Sequence, residues 1–268
     1  MEDSTQNGWP TIHFEDGKFT AREEEIATEF PLTVMINGEE FATIVCSPTD
    51  LRGMVIGFLA AEGAIRNFSE IKLMSIDEDK GFAHVELYKP LAKVAEMHSK
   101  RFIGSCCGKS RQFYFKTDVQ TARTIMTRTQ IKPDACIRLM KEMQQASDDF
   151  QRTGGIHNAA LATVDKLLTV KTDIGRHNTL DKIYGQILEE RISVKDKVVI
   201  FSGRISSEVL LKVSKMGIGL IISKSAPTDL ALELANDLGI TTIGFTRGNK
   251  MNIYTHPERV IGAAPPPE

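Results

Sequence analysis

The alternation of apolar and polar positions in the first third of the chain predicts strands packed around one helix. Residues 32–36 and 41–45 are two short apolar runs, and Asn37-Gly38 separates them. Asn-Gly supplies the positive φ angles that a type I′ turn requires, so the two runs are predicted to pair as a hairpin. The segment 47–50 follows with a cap candidate and a proline suited to a first helical turn, which predicts a helix up to about Ile65.

The pattern on either side of this unit completes a small α+β domain. Two further strands are expected near 71–76 and 83–88, and a short helix is expected from about Pro90. We therefore interpret residues 26–105 as one small domain. Residues 1–25 are polar, and they are predicted to be an N-terminal extension that is either extended or poorly ordered.

From Pro133 onward, helical and strand patterns alternate. Helices are predicted at 133–146, 179–190, 206–215 and 228–238, and strands at 159–164, 167–170, 198–201, 219–223 and 241–245. Alternation with helices of this length predicts right-handed crossovers and a largely parallel sheet, whose ligand sites lie at the carboxyl ends of its strands. Residues 125–268 are therefore assigned to a second domain, and the fold class is α/β, or α+β over the whole chain.

Composition and charge exclude several classes of protein. The chain has 268 residues, 41% of them hydrophobic and 25% charged, with a net charge of −2. This balance gives no electrostatic footprint for nucleic acid or an anionic membrane. Four cysteines without framework spacing favour a reducing compartment. The acidic N-terminus does not resemble a signal peptide, and no apolar run reaches the roughly 18 residues of a membrane span, so a cytoplasmic protein is expected.

Two of the cysteines, Cys106 and Cys107, stand side by side in the segment 104–111. Three cations surround them, namely Arg101, Lys109 and Arg111. A cationic neighbourhood favours the thiolate, which is the nucleophilic form of cysteine. Two glycines lower the barrier to backbone rearrangement, so the segment is predicted to be a mobile loop that carries a reactive thiol and is poorly ordered without its partners.

A disulfide or a phosphate-binding loop fits the cysteine segment less well than a reactive thiol does. A disulfide between adjacent residues would require a strained ring outside ordinary disulfide geometry. A phosphate-binding P-loop needs four residues between its glycine and Gly-Lys-Ser, whereas Gly104 is followed by three. The remaining cysteines, Cys46 and Cys136, lie in apolar patterns and are predicted to be core residues.

Polar loops follow or precede several strands of the second half. Each combines glycine or serine with a cation or imidazole, and the candidate anion-binding residues are His157, Arg176, His177, Arg204 and Ser225. Backbone N–H groups at a helix start bind anions, and arginine grips phosphate in bidentate fashion. Any one of these loops is more simply a cap or a connection. Their joint placement predicts a site for a phosphorylated, nucleotide-like molecule.

The segment from Phe245 to Lys250 joins an aromatic ring to two cations and a glycine, as a purine diphosphate would require. His157 and His177 are not predicted to bind zinc, because no Cys-x-x-Cys or His-x-x-x-His pair supplies further ligands. The His-x-Glu and Pro-Cys-x-x-Cys signatures of zinc-dependent base deaminases are also missing, so no structural metal is expected.

Taken together, these motifs resemble the formate dehydrogenase accessory sulfurtransferases, the FdhD family. The matching segments span residues 32 to 259 in family order: 47–51, 57–63, the cysteine loop, 153–157, 173–178, 202–204, 225–228 and 244–247. The resemblance implies a cytidine-deaminase-like, three-layer α/β second domain without the deaminase zinc, and a homodimer. It also implies transfer of persulfide sulfur from a cysteine desulfurase to the molybdenum bis-guanine-dinucleotide cofactor, which formate dehydrogenase needs for activity.

The resemblance also assigns roles to residues. Cys107 corresponds to the persulfide cysteine, with Cys106 and Lys109 as auxiliary candidates. Many members have Cys-Gly-x-Cys in this loop, whereas this chain has Ser110 at the last position, so a scheme that needs a disulfide there does not fit. The guanine-dinucleotide contact falls on Phe245, Thr246, Arg247, Gly248, Asn249 and Lys250.

Two classes of function remain open from the sequence. The first is a sulfur carrier in which Cys107 holds a terminal sulfur and exchanges it by thiolate chemistry. The second is a chaperone that binds the molybdenum cofactor without transferring sulfur, and such a protein would tolerate serine at position 107. A hydrolytic deaminase is disfavoured because the zinc ligands are missing.

Overall fold

The hairpin predicted at residues 32–45 lies at the centre of a five-stranded sheet. The computed structural model describes residues 5–89, 102–103, 122–147 and 153–264. The strands of this sheet are β3 (Phe30–Ile36), β4 (Glu39–Cys46), β5 (Ile71–Asp77), β6 (Phe82–Leu87) and β7 (Phe102–Ile103), in the order β5-β6-β3-β4-β7. Asn37 and Gly38 have φ angles of 50° and 87°, so the predicted turn is confirmed. The helix expected from Pro90 lies outside the described residues.

Helix α1 (Leu51–Ala61) packs on this sheet and begins where the sequence predicts. The Asp50 carboxylate accepts a hydrogen bond from the Gly53 amide at 3.2 Å, which is the contact expected of an N-cap. The helix ends four residues before the predicted Ile65. Gly63 adopts a φ of 77°, and the Ala64 amide donates to the Leu59 carbonyl at 2.8 Å, which is a Schellman ending. The apolar pattern continues past the helix because Ile65 still faces the core.

The second half forms a six-stranded sheet covered by helices on both faces. Its strands are β8 (His157–Ala162), β9 (Leu167–Asp173), β10 (Val198–Phe201), β11 (Leu220–Ser223), β12 (Thr241–Arg247) and β13 (Lys250–Thr255). Its helices are α2 (Pro133–Gln145), α3 (Arg176–Glu189), α4 (Ser207–Met216) and α5 (Asp229–Leu238). The sheet order is β13-β12-β11-β10-β8-β9.

The prediction that this sheet is largely parallel is wrong. Only the β10–β11 and β11–β12 pairs are parallel, and the other three pairs are antiparallel. Strand β8 lies between β9 and β10, so the crossover through α3 joins two strands that run in the same direction but are not neighbours. The sequence pattern indicates the crossover correctly but does not reveal the strand inserted between its two ends. Strand β13 was not predicted.

The two faces of the sheet bury alternate residues of each strand, as the period of a β-strand requires. On one face, α2 packs over Ala160, Ala162, Val198 and Ile200. On the other face, Ala159, Leu161, Val199 and Phe201 belong to the core that contains α3, α4 and α5. The predicted three-layer α/β arrangement is confirmed.

Helices α1 and α3 meet in backbone contact at two glycines. A Cβ atom added to Gly57 would lie 1.8 Å from the Asp181 carbonyl oxygen, and one added to Gly185 would lie 1.8 Å from the Gly53 carbonyl oxygen. Only glycine permits so close an approach. The five-stranded sheet and the six-stranded sheet therefore share one continuous core, which runs through the pair of helices.

Residues 5–27 form a two-stranded ribbon, β1 (Thr5–Glu15) and β2 (Lys18–Ala27). The expectation of extended chain is confirmed, but the pairing was not predicted. Asp16 and Gly17, with φ angles of 49° and 79°, form the same kind of turn as Asn37-Gly38. The Asp-Gly dipeptide was thus a local signal for this hairpin.

Candidate functional site

Side chains from four segments meet at one edge of the six-stranded sheet. We call this group the strand-end cluster: His157, Arg176, His177, Ser202 to Arg204, and Ser223 to Ser225. The strand register explains the placement, because His157 pairs with Asp173, Ala159 with Phe201, and Phe201 with Ser223. The convergence of polar loops at one sheet edge, expected from the sequence, is present.

Hydrogen bonds between the loops hold the strand-end cluster in place. The Ser225 hydroxyl donates to the Ser202 carbonyl at 2.9 Å, and the Ser223 hydroxyl donates to the Gly203 carbonyl at 2.7 Å. The Lys224 amide donates to the Phe201 carbonyl at 3.0 Å. Serines at these positions therefore tie one strand-end loop to the next, and the surface that they form is preorganised.

His157 lies at the edge of this surface, half-buried at the start of β8. Its Nδ1 atom is 3.5 Å from the Ser202 hydroxyl, which in turn accepts the Asn158 amide at 3.0 Å. Burial lowers the pKa of His157, and the positive charge of Arg176 lowers it further. The imidazole is therefore neutral at pH 7, and its ring nitrogens can donate and accept hydrogen bonds.

His177 and Arg176 lie in the first turn of α3, because the helix begins three residues earlier than predicted. His177 Nε2 is 2.9 Å from Glu208 Oε2, near the start of α4. Burial lowers the pKa of His177, and the hydrogen bond to Glu208 opposes this shift. Arg176 Nε and the Ser206 hydroxyl are buried and make no hydrogen bond with any part of the chain that the structure describes. Two unused donors therefore lie where two helices begin.

Arg204 is the member of the cluster that stands apart. It is exposed, and no hydrogen bond or ion pair within the described ranges holds its guanidinium.

The predicted guanine-dinucleotide segment forms the β12–β13 hairpin beside this cluster. Phe245 is 41% exposed with a φ of 51°, and the Arg247 guanidinium lies 5.8 Å from its ring centroid. Gly248, with a φ of 55°, and Asn249 form the turn, and Arg247 pairs with Lys250 across it. Phe245, Arg247, Gly248, Asn249 and Lys250 are all exposed.

Thr246 differs from its neighbours in the hairpin. Its side chain is 1% exposed on the opposite face of the strand, and its hydroxyl makes no hydrogen bond with a described residue. Only its backbone can face a ligand on the Phe245 side. Two hydrogen bonds join the hairpin to the cluster, from the Phe245 amide to the Ser225 carbonyl at 3.2 Å and from Arg247 Nε to the Lys224 carbonyl at 3.0 Å. The two predicted groups thus form one surface.

A buried ion pair behind this surface was not predicted. Lys182 Nζ lies 2.8 Å from Asp173 Oδ2, and the two side chains are 1% and 0% exposed. The Asp173 carboxylate also accepts the Ser47 amide at 3.1 Å and the Asn178 side-chain amide at 2.7 Å. The segments 47–50 and 173–178, both part of the family resemblance, are therefore joined to each other. The sequence did contain one signal for this arrangement. Lys182 follows Asn178 by four residues, so both side chains lie on the same face of the helix.

The cysteines divide into two kinds. Cys46 and Cys136 are completely buried, and burial raises the pKa of each thiol to about 12. Their predicted place in the core is confirmed. Cys106, Cys107 and Lys109 lie outside the described residues, as does the whole loop 104–111, so the expected mobility of that loop stays a prediction.

The ends of the chain around the cysteine segment are fixed. Phe102 and Ile103 pair with Thr43 and Ile44 of β4. On the far side, the Arg123 amide donates to the Ser214 hydroxyl at 2.8 Å. Along the sequence, Cys106 and Cys107 thus follow an edge strand of the five-stranded sheet and precede a residue anchored to α4.

Neither a metal-binding cluster nor a membrane span is found among the described residues. No group of three His, Cys, Asp or Glu side chains there is arranged to hold a metal ion. No helix in the same ranges is long and apolar enough to cross a bilayer.

Comparison with known proteins gives relatives over nearly the whole chain. The chain is 57% identical over 252 residues to a protein of Geobacillus kaustophilus, with 94% of this chain and 96% of that one covered. It is 55% identical over 247 residues to a protein of Bacillus subtilis, with 92% and 94% covered. It is 53% identical over 261 residues to one of Staphylococcus aureus, with 97% and 98% covered. All three are named sulfur carrier protein FdhD.

A solved structure and a family assignment agree with these relatives. The fold matches a crystal structure from Desulfotalea psychrophila, described as a candidate formate dehydrogenase accessory protein, with a TM-score of 0.79 and 23% identity over 97% of this chain and 100% of that chain. At this identity the match shows the fold alone. Residues 27–261 match the FdhD/NarQ family, and the chain belongs to that family.

Proposed function

We propose that this chain is a sulfur carrier in the maturation of formate dehydrogenase. The observation that carries the proposal is its identity of 53–57% to proteins named sulfur carriers, over more than nine-tenths of both chains. Sulfur transfer by a protein needs a thiol that is accessible and able to ionise. The proposal therefore depends on which of the four cysteines meets these requirements.

The buried cysteines do not meet them. Cys46 and Cys136 have no exposed surface, and with a pKa of about 12 neither forms thiolate at neutral pH. Cys106 and Cys107 are the remaining candidates, and they lie among cations that favour thiolate. We assign the carrier role to Cys107 on the family resemblance, with Cys106 and Lys109 in auxiliary roles.

The proposed loading step follows thiol–disulfide exchange. The Cys107 thiolate attacks the terminal sulfur of a persulfide on a cysteine desulfurase. A sulfur–sulfur bond forms on Cys107, the donor's sulfur–sulfur bond breaks, and the donor cysteine leaves as thiolate. No net oxidation occurs, and the carrier then passes the sulfur to the molybdenum bis-guanine-dinucleotide cofactor.

The strand-end cluster and the 245–250 hairpin are the proposed site for that cofactor. An exposed aromatic ring beside an arginine suits a purine next to its phosphates, since arginine pairs with phosphate and the ring offers a stacking face. Arg176 and the neutral imidazole of His157 supply further donors for phosphate oxygens nearby. The cofactor is treated as a bound substrate, so no step of its own chemistry is assigned to these residues.

We propose that the carrier is a homodimer and that the N-terminal ribbon contributes to the contact. Ile12, Phe14 and Phe19 lie on one face of the ribbon and are 67%, 59% and 74% exposed. A two-stranded ribbon is marginally stable in water by itself, so a second copy that covers this apolar face would stabilise it. The proposed compartment is the cytoplasm, where the reducing poise keeps the thiols free.

The test is sulfur loading of the purified protein. Incubation with a cysteine desulfurase and cysteine is expected to place sulfane sulfur on the wild type and on Cys106→Ser, but not on Cys107→Ser, because a hydroxyl cannot form a persulfide. The wild type and Cys106→Ser should then activate a client formate dehydrogenase, whereas Cys107→Ser should not.

The same experiment separates the two classes of function. A chaperone that only binds the cofactor does not need a thiol at position 107. In that case the Cys107→Ser variant would activate the client as well as the wild type does. Equal activation by that variant, with its sulfur loading lost, would reject the sulfur-carrier proposal and favour the chaperone. If sulfur loading is lost in Cys106→Ser and kept in Cys107→Ser, the carrier role belongs to Cys106.

A further inference from the structure

A cationic cavity of about 410 Å³ lies at the other end of α3 from the strand-end cluster. Helix α3 runs from Arg176 to Glu189, so the two regions are roughly 20 Å apart along the helix axis. The 66–69 turn of the N-terminal half forms one wall. The ends of α3 and α4 form the others, and Arg123 lies on the rim. Nothing in the proposed sulfur-carrier function uses this cavity.

The charge of the lining is one-sided. Arg66, Arg123, Arg191 and Lys215 line the cavity, and no carboxylate of the described residues does, although the whole chain has a net charge of −2. The three arginines are exposed, and none of their guanidinium groups makes a hydrogen bond or ion pair with a residue that the structure describes. Lys215 is different, because it is buried and donates to the Ala61 carbonyl at the end of α1 at 2.6 Å.

Cations near the ends of α3 and α4 have a simpler explanation, since they offset the negative end of a helix dipole. This explanation covers Arg191 and Lys215. It does not cover Arg66 or Arg123, which come from other parts of the chain. The 66–69 turn is fixed in position, because the Glu70 carboxylate accepts the backbone amides of Arg66 and Asn67 at 2.9 Å each.

The backbone of Arg191 provides an independent observation. It has a φ of 53°, in the left-handed region where glycine is favoured. Three other helices place glycine in this conformation where they end, namely Gly63, Gly217 and Gly239. At the end of α3 the chain instead carries an arginine in a strained conformation, directly at the cavity. Residues held in this region cost free energy and cluster at ligand and active sites.

The walls between the cations are apolar. Ile187, Ile192, Val194 and Met216 line the cavity together with Tyr184. A volume of about 410 Å³ lies within the range of small-molecule sites, which combine apolar walls with a few convergent polar groups. Guanidinium groups match phosphate oxygens in bidentate geometry, and three of them suit more than one phosphate.

We propose that this cavity binds the diphosphate group of a small organic molecule, with the arginines on the phosphates and the aliphatic wall against the organic part. Inorganic pyrophosphate is the minimal form of the same ligand. The site is separate from the strand-end cluster, and its occupation does not depend on the proposed sulfur transfer.

The test is isothermal titration of the full chain with pyrophosphate and with ADP at low salt. Arg191→Gly is the main variant, because glycine accepts the left-handed backbone and the fold is kept. It should bind either probe about 10- to 100-fold more weakly, the loss expected for one charge-assisted contact, while its thermal midpoint does not fall. Arg128→Ala is the matched control, since Arg128 is exposed but lies outside the cavity.

The outcomes separate the proposal from its alternatives. Tighter binding of ADP than of pyrophosphate supports a role for the aliphatic wall, and equal binding identifies the phosphates as the whole ligand. If Arg128→Ala weakens the binding of the probes as much as Arg191→Gly does, the effect comes from the overall charge of the protein. That result would overturn the proposed site. No binding of either probe by the wild type at millimolar concentration would also overturn it. Arg247→Ala should leave this binding unchanged, which distinguishes it from the proposed cofactor site.

Discussion

At the scale of single residues, Phe245 is the strongest indication of a ligand at the β12–β13 hairpin. A non-glycine residue with a φ of 51° is uncommon, and a large aromatic side chain with 41% of its surface exposed is uncommon in the same place. The strained backbone turns the ring outward beside Arg247, whose Nε atom is held by the Lys224 carbonyl. A ring and a cation fixed side by side support the proposed contact with a nucleotide.

Replacement of Arg247 by alanine tests this face. The variant should bind GDP more weakly by about 1.5–3 kcal/mol, because it loses a charge-assisted contact to phosphate. Isothermal titration measures the difference, and Arg128→Ala serves as the exposed-arginine control. Removal of the bond to Lys224 should cost little stability, so equal thermal midpoints would confirm that the fold is intact.

If the Arg247→Ala protein binds GDP as tightly as the wild type, the guanine site lies elsewhere on the molecule. If the control loses affinity equally, the effect belongs to the overall charge and not to the hairpin.

Prediction of single residues from the sequence succeeded where the chemistry was local. Cys46 and Cys136 lie in apolar patterns, and both are buried. The prediction was incomplete where a side chain acts across the fold. Thr246 was grouped with its exposed neighbours, although a strand alternates its faces and buries it. The Asp173–Lys182 ion pair contacts the segment 47–50, which is distant in the sequence. That contact depends on the tertiary structure and leaves no local pattern.

At the scale of elements, α3 connects the features that matter most. Its first turn carries Arg176 and His177, and its middle meets α1 through Gly185. One turn from that contact, Lys182 reaches Asp173, Thr49 Oγ1 and the Thr172 carbonyl. The helix therefore fixes the strand-end cluster relative to the N-terminal half of the molecule.

Replacement of Lys182 by methionine tests this connection. Removal of one partner of a buried ion pair leaves an uncompensated charge on Asp173, and such a change costs about 3–5 kcal/mol. Urea unfolding should show a lower midpoint for Lys182→Met. The matched control is Lys72→Met, which breaks an exposed pair with Glu86 and should cost well under about 1 kcal/mol.

A loss of less than about 1 kcal/mol for Lys182→Met would mean that the pair does not hold the two halves together. The Asp173→Asn and Lys182→Met double variant should be less unstable than the two single losses added together, because the buried charge is removed with its partner.

Elements were predicted well where a repeating pattern defined them, and less well where two elements had to be ordered in space. The strand at 198–201 and the helix at 133–145 lie within a residue of their expected ends. The position of β8 between β9 and β10 follows from a pairing between distant segments, which no local pattern records. Strand β13 was not predicted, although its first four residues alternate polar and apolar side chains after the turn at Gly248.

At the scale of the whole molecule, the two predicted domains share a single core through α1 and α3. A boundary placed by composition near residue 105 separates two sheets, but the helices between those sheets belong to both sides. The cysteine segment lies between Ile103 and the anchored residue Arg123, so its two ends are attached to opposite halves of the molecule.

The N-terminal ribbon exposes apolar side chains that a second protein surface could cover. The centroids of its Phe14 and Phe19 rings lie 4.9 Å apart with the ring planes tilted by 46°, yet both side chains remain more than half exposed. On the ribbon's other face the nearest residues, His13, Glu15, Lys18 and Thr20, are polar or charged, and the exposed Trp9 lies farther along β1. A ribbon with one apolar face is suited to cover the same face of a second copy.

Replacement of Phe19 by lysine should therefore disrupt the proposed dimer. Light scattering after size-exclusion chromatography is expected to give twice the mass of one chain for the wild type. Phe19→Lys should shift the protein toward the mass of one chain at the same concentration, because a buried ammonium in an apolar contact is costly. Thr20→Lys is the matched control, since it adds the same charge one residue away on the polar face and should stay dimeric. A wild type that has the mass of one chain would reject the dimer. A Phe19→Lys protein that stays dimeric would keep the dimer but assign its contact to another surface.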